Sequence, residues 1–229
     1  MLVAVPAALS PDQLVEVRRL IGEGDWQDGG VTAGRQSGLV KRNQQLSSGC
    51  EKAAAARTII LDALAANGLF MSAALPQSIF PPLFNRYEAA AGHRFGNHVD
   101  NAIRYLPDGC GKIRTDLSST LFLSDPDDYD GGELVIEDSY GAHEVKLAAG
   151  DMILYPATSL HRVEPVTRGE RLASFFWIQS MVRDDGQRTL LLDMDAAIRT
   201  LAAQLGDDDL AVVSLTGTYH NLLRRWADT

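Results

Sequence analysis

Five histidines occur in the 229-residue chain, and two of them have neighbours that point to metal chemistry. In Gly96-Asn97-His98-Val99-Asp100 an imidazole and a carboxylate stand two residues apart. On a strand that spacing aims both side chains at one face, where they can chelate a single ion. Taken alone, His-x-Asp is also the pattern of a salt-bridged surface pair. His161 changes the balance. It follows Gly150-Asp151-Met-Ile-Leu-Tyr-Pro156, which reads as a buried strand ended by proline, and it opens the next strand. Two imidazoles and one carboxylate on neighbouring strands make a facial triad that leaves three metal positions open.

Arg171 lies ten residues past His161. Thr167-Arg168-Gly169 reads as a three-residue hairpin loop with Gly169 in the left-handed conformation. That register pairs Val166 with Glu170 and Pro165 with Arg171. His161 and Arg171 then share a face, about 14 Å apart at roughly 3.4 Å per residue. A metal and a five-carbon diacid fill such a gap; without the triad, a surface arginine at a strand end is the plainer reading. His93, His143 and His220 lack a partner at ligand spacing and read as surface or packing residues. Asp125 to Glu133 looks like a calcium loop, but Tyr129 at its fifth position and Ile136 at its twelfth break the pattern, so it reads as a solvated turn.

These residues need elements to hold them. Ser10-Pro11-Asp12-Gln13 is a helix start with a capping box, followed by Leu14, Val17 and Ile21 at helical spacing. A second helix is predicted over Glu51 to Ala66, with the polar stretch Gln36 to Ser48 between them as loop or edge strand. From Leu83 short β-type runs alternate with turn signals every 8–12 residues. They cover Leu83–Tyr87, Gly96–Tyr105, Leu117–Leu123, Glu133–Glu137, Glu144–Leu147, Met152–Tyr155, His161–Val166 and Leu172–Met181. Eight such strands predict a sandwich or jelly roll and not a βαβ sheet. Leu190–Leu205 and Tyr219–Trp226 read as helices. The expected fold class is mainly β with flanking helices. It divides into an N-terminal helical flank over 1–80, a β-core over 81–182 and a C-terminal helical appendage over 183–229.

Composition bounds the function. Hydrophobic residues make up 45% and charged residues 22%, enough for a packed core. The net charge of −9 argues against binding a phosphate backbone and permits a small-molecule or protein substrate. Cys50 and Cys110 are too few for a disulfide framework or a cysteine zinc site, and read as thiols in a reducing cytoplasm. The first ten residues lack a basic n-region, and no window offers 18 uncharged apolar residues, so neither a signal peptide nor a membrane span is expected. The helical tail leaves a homodimer open.

Taken together, these segments resemble a known family. His98-Val-Asp100, His161 and Arg171 match the iron- and 2-oxoglutarate-dependent dioxygenases of the prolyl-hydroxylase-like group. Longer runs are similar to bacterial PKHD-type hydroxylases over nearly the whole chain: Phe95 to Arg104, Leu121 to Leu134, Tyr155 to Val163, Pro165 to Arg171, and Lys41-Arg-Asn-Gln-Gln45. The resemblance implies a double-stranded β-helix core, His98, Asp100 and His161 as Fe(II) ligands, Arg171 as the anchor for the 2-oxoglutarate carboxylate, and L-ascorbate as reductant. Tyr87 resembles a tyrosine that contacts the co-substrate near the metal; a core tyrosine with a satisfied hydroxyl fits it equally. Many relatives carry a tyrosine on the core strand where this chain has Leu121-Phe122, so Ser118 or Thr120 is the candidate second donor to the distal carboxylate. The implied activity is hydroxylation of a peptide or small molecule with release of succinate and CO2. The alternatives on the same residues are a non-catalytic, cupin-like metal-binding sensor and a zinc hydrolase. Arg171 separates both from the dioxygenase, because neither needs a buried cation one diacid length from the metal.

Overall fold

The computed structural model describes every residue except Ala33, Arg35, Ser48, Asp108, Cys110 and Thr229. The thiol expectation for Cys110 therefore lies outside the described residues. The N-terminal half contains β1 (Val3–Val5), α1 (Pro11–Gly22), β2 (Trp26–Asp28), α2 (Ser37–Val40), β3 (Lys41–Arg42), β4 (Gln44–Leu46), α3 (Glu51–Ala66), α4 (Gly68–Ala74) and β5 (Pro76–Ile79). There follow β6 (Leu83–Glu88), β7 (Arg94–His98), β8 (Ile103–Tyr105), β9 (Lys112–Arg114), β10 (Leu117–Phe122), β11 (Tyr129–Gly131), β12 (Leu134–Asp138) and β13 (Gly141–Val145). The chain closes with β14 (Met152–Pro156), β15 (Leu160–Val163), β16 (Val166–Ser180), α5 (Asp185–Leu205) and α6 (Leu210–Trp226).

The strands pair antiparallel into two main sheets. The larger runs β1-β14-β10-β16-β6-β4-β2, with β11 and β5 also on β16; the smaller runs β13-β12-β15-β7-β3; β8 and β9 form a separate ribbon. The two sheets face one another as a jelly roll, with α1 and α3 on the outer side of the larger one.

Alternation along β10 shows why. All six residues of Leu117-Ser-Ser-Thr-Leu-Phe122 are buried, because the strand has a layer on each side. Leu117 and Leu121 join Phe176 and Ile178 of β16 against Val17, Ile21, Ala56, Ile60 and Leu64 of α1 and α3. Burying each large side chain there contributes about 1.5–3 kcal/mol. Ser118, Thr120 and Phe122 point the other way, into the space between the sheets. Helix α1 starts as the sequence predicts: Ser10 Oγ accepts from the Gln13 N–H, and the Gln13 side chain accepts from the Ser10 N–H. The C-terminal helices close over a small core of Leu75, Val182 and Leu191 with Tyr219 and Trp226 packed against it.

Several expectations differ from the structure. The stretch from Gln36 to Ser48, expected as loop or edge strand, includes the edge strand β3 but also forms α2 and β4, and residues 1–80 contribute strands to both sheets. The run predicted as one strand from Gly96 to Tyr105 breaks after His98, leaving Asp100 in irregular backbone between β7 and β8. The predicted hairpin from His161 to Arg171 does not form. Strand β15 pairs with β12 and β7 in the smaller sheet, and the link through Glu164-Pro165 crosses to the larger one, where β16 runs unbroken from Val166. Residues Val166 to Gly169 pair with β11, not with β15. Gly169 does adopt the left-handed conformation, with φ +69°, and only glycine fits there, because a Cβ would stand 2.1 Å from the Asp128 carbonyl oxygen. Both C-terminal helices begin earlier than predicted, α5 being capped by Asp184 and α6 by Asp209.

Candidate active site

The smaller sheet brings the two imidazoles together. His98 ends β7 and His161 lies in β15, and the two are direct cross-strand partners. Their ring centres are 4.1 Å apart. Asp100, two residues beyond the end of β7, turns back beneath them, so that its Oδ2 lies 3.7 Å from His161 Nε2. One potential ligand atom from each of His98, Asp100 and His161 lies within 4.8 Å of the others, the spacing a single small cation requires. The pairing of the three residues thus holds, although a strand end and a loop, not a continuous strand, converge them.

Neighbouring groups fix the orientation of each. His98 Nδ1 lies 2.8 Å from the Gly96 carbonyl oxygen and His161 Nδ1 lies 3.0 Å from that of Ser159. Each Nδ1 must therefore carry the proton, which leaves each Nε2 lone pair facing the cluster. Ser118 Oγ donates to Asp100 Oδ2 at 2.6 Å. Ser118 consequently serves the carboxylate of the cluster and not a distal anion. Phe95 stacks on His98 at 3.6 Å and the Tyr155 edge meets His161 at 5.1 Å. Burial holds His98 neutral, lowering its pKa to about 4, with the nearby His161 acting in the same direction.

Arg171 enters from the other sheet. It lies on β16 beside Tyr87 of β6, its cross-strand partner, and only 1% of it is exposed. Its guanidinium carbon is 5.4 Å from the Tyr87 ring centre and 5.3 Å from that of Phe122. Its Nε and Nη1 have no hydrogen-bond partner. Gly132, at φ +69°, gives it room: a Cβ there would stand 3.1 Å from Arg171 Cδ. Tyr87 is buried, which raises its pKa to about 12 against the opposing pull of the Arg171 charge. The nearby Tyr129 hydroxyl is buried as well, and Arg171 beside it opposes the rise in pKa that burial causes.

One cleft, of about 700 Å³ with the solvent-open space at its mouth included, joins His98, Asp100, His161, Arg171 and Tyr87. It is also lined by residues that spacing did not single out for chemistry: Lys41, Asn43, Asn85, Arg104, Tyr155 and Trp177. Lys41 and Asn43 fall within Lys41-Arg-Asn-Gln-Gln45, so that segment was a usable signal. Tyr129 lay in the stretch read as a solvated turn, yet it is fully buried. The remaining histidines stay apart from the cavity: His93 Nδ1 accepts from the Glu88 N–H, and His143 Nε2 lies 2.9 Å from Asp138.

An octahedral cation and a dicarboxylate both fit this arrangement. The nitrogen and oxygen donors suit Fe(II), and a buried guanidinium with bare nitrogens suits a carboxylate.

Comparison with known proteins agrees. Residues 82–179 match the 2OG-Fe(II) oxygenase superfamily, and residues 185–228 match the PKHD-type hydroxylase C-terminal domain. A PKHD-type hydroxylase of Rhizorhabdus wittichii is 60% identical over 228 residues, covering 100% of both chains. One from Burkholderia thailandensis is 59% identical over the same span, again covering 100% of both. Among solved structures, a prolyl hydroxylase from Trichoplax adhaerens superimposes with TM-score 0.54 at 14% identity, covering 82% of this chain and 86% of that one. HygX from Streptomyces hygroscopicus, with nickel and 2-oxoglutarate bound, gives TM-score 0.54 at 14% identity, covering 78% and 82%. At that identity the two structures speak for the fold alone, whereas full-length identity near 60% reaches further: the chain belongs to the PKHD-type hydroxylases, within the 2OG-Fe(II) oxygenase superfamily.

Proposed function

We propose that the protein hydroxylates a carbon of a peptide or small-molecule substrate, with Fe(II) held by His98, Asp100 and His161 and 2-oxoglutarate anchored at its distal carboxylate by Arg171. When bound, these two supply the oxygen-activating chemistry, with succinate and CO2 as co-products. The observation that carries the reading is the pairing across the sandwich: a His-Asp-His cluster on one sheet faces a fully buried arginine on the other, with Nε and Nη1 unpartnered. A metal-binding sensor would need the first feature and not the second.

The chain's own residues then have separable tasks. The Gly96 and Ser159 carbonyls fix the Nδ1–H tautomer and so aim the Nε2 edge of each ring at the cluster, and Ser118 holds one Asp100 oxygen so that the carboxylate keeps its direction. Arg171 offers a planar fork to a carboxylate, with Tyr87 beside it as a positioning contact for the same co-substrate. Phe95, Phe122 and Tyr155 exclude water around these groups, which strengthens every charge interaction inside.

Ascorbate would keep the metal reduced through repeated turnover. A structural relative was solved with a peptide fragment and another with hygromycin B, so the fold accommodates either class of substrate. Succinate release from 2-oxoglutarate, screened across metabolite and peptide pools with Fe(II) and ascorbate, tests the proposal. Stimulation by at least one pool is expected. Absence of Fe(II)-dependent succinate under every condition, including the slow reaction without substrate, would overturn it.

A further inference from the structure

Tyr129 is a fully buried phenol that the chemistry described above does not use. The pairing of β11 with β16 explains why it turns inward. Tyr129 stands opposite Gly169, and Asp130 stands opposite Arg168. Asp130 and Arg168 meet in an exposed ion pair at 2.8 Å, so alternation sends Tyr129 to the inner face. Gly169 sets no side chain against it. Its inward neighbour on β16 is therefore Arg171, two residues on, at a diagonal that aromatic and long side chains can span.

One backbone position shows how close the two side chains come. A Cβ at Gly132 would stand 3.0 Å from Tyr129 Cε2 and 3.1 Å from Arg171 Cδ, so the ring edge and the arginine stem border the same space. Lys146 pins the tyrosine as well. Its Nζ donates to the Tyr129 carbonyl at 2.8 Å and stands 4.1 Å from the ring centre. Burial raises the Tyr129 pKa, and the Arg171 charge and a hydrogen bond from it oppose that rise. The other groups at the guanidinium supply no such oxygen. Tyr87 and Phe122 meet it with their rings, at 5.4 and 5.3 Å, and the Tyr87 hydroxyl is engaged by Asn43. Ring contacts are weakly directional, whereas a hydrogen bond to oxygen fixes how the fork turns.

Resting on the hydroxylase reading above, we propose that Tyr129 sets the direction of the Arg171 fork and thereby fixes the chain length of the 2-oxo diacid that the protein accepts. The metal end of that span is already held, since Gly96, Ser159 and Ser118 each orient one residue of the His98, Asp100 and His161 cluster. With Tyr129 holding the other end, the distance between cluster and anchor suits one diacid. A diacid one methylene longer must buckle to fit. Without the hydroxyl the guanidinium can turn to follow the longer chain. Tyr129→Phe removes the oxygen alone and leaves the ring with its contacts to Lys146 and Gly132, so it separates positioning from packing.

The test titrates 2-oxoglutarate and 2-oxoadipate, which has one more methylene, into the full-length protein loaded with Zn(II), which holds the site without turnover. Isothermal calorimetry reads both affinities in the parent and in Tyr129→Phe. The parent should bind 2-oxoglutarate about ten-fold or more tightly than 2-oxoadipate. In the variant, 2-oxoglutarate should weaken by about five- to ten-fold, the scale of one net hydrogen bond, while 2-oxoadipate stays within about two-fold. Zn(II) content and the melting temperature without either acid should match the parent's. Unchanged 2-oxoglutarate affinity in the variant would overturn the proposal. So would an equal loss for both acids, which would leave Tyr129 a packing residue, or a parent indifferent to chain length. A parent that takes up neither acid would overturn the hydroxylase reading and this proposal with it, and the parent's own titration tells that failure from the others.

Discussion

Replacing Arg171 by Met should separate stability from co-substrate binding, moving them in opposite directions. The guanidinium is 1% exposed, its Nε and Nη1 lack partners, and the rings of Tyr87 and Phe122 flank it at 5.4 and 5.3 Å. In the absence of 2-oxoglutarate it is a buried charge with little compensation. A methionine of similar length fills the same channel without that desolvation cost, so the ligand-free protein should be unchanged or stabilised by about 1–4 kcal/mol. For a chain of this size each 1 kcal/mol moves Tm by about 2–4 °C. Binding changes the other way. Losing one side of a buried charge-assisted pair costs about 2–5 kcal/mol, which is roughly 30- to several-thousand-fold in Kd. Arg171→Lys should fall between, because an ammonium keeps the charge but not the bidentate fork. Thermal melts with and without 2-oxoglutarate in the Zn(II) protein read both quantities in one experiment. The variant should melt no lower than the parent and lose the rise that 2-oxoglutarate produces. A variant that melts well below its parent yet binds 2-oxoglutarate equally tightly would show Arg171 to be a structural cation and refute the reasoning.

Three further outcomes are expected. Asp100→Ala should lose Fe(II), measured as metal content after dialysis, and with it succinate release, while circular dichroism stays near that of the parent; a variant active with iron still bound would remove Asp100 from the site. Gly169→Val should cost about 2 kcal/mol or more in urea unfolding, since valine resists the left-handed backbone and its Cβ would meet the Asp128 carbonyl. It should also weaken 2-oxoglutarate binding although Arg171 is intact. The pH dependence follows from His98, whose folded pKa of about 4 lies below its ordinary 6.5. The unfolded chain takes up this proton first, so metal-free protein should lose stability as pH falls from about 6.5 toward 4, and His98→Gln should flatten that slope in urea titrations at a series of pH values.

Local signals in the sequence were read well where local physics decides them. The Ser10-to-Gln13 capping box, the α3 span, the strand over Leu117 to Leu123 and the left-handed Gly169 all need only a few neighbouring residues. The tertiary choices were less legible. Gly169 looked like a hairpin loop because a positive φ suits one, but its partner strand is β11, which is nearly 40 residues earlier in sequence and closes across the sandwich. Arg171 therefore reaches the cavity from the sheet opposite His161 and not along one face of a shared hairpin. Asp100 was read as strand because His-x-Asp alternates correctly, although the backbone leaves the sheet after His98. Lys41, Arg104 and Tyr129 carry no period that separates a cavity-facing polar side chain from a solvated one; they fall in segments that resemble the family, but their place at the cavity or in the core follows from the packing of β3, β8 and β11.

The most direct test of the central claim is an anaerobic titration of 2-oxoglutarate into the protein loaded with one equivalent of Fe(II). Chelation of a 2-oxo acid at an iron held by two imidazoles and a carboxylate should give a weak visible charge-transfer band that saturates at one equivalent. The band should be absent in Asp100→Ala and should need far higher 2-oxoglutarate in Arg171→Met. A parent protein that binds Fe(II) through His98, Asp100 and His161 yet shows no such band at any 2-oxoglutarate concentration would contradict the account.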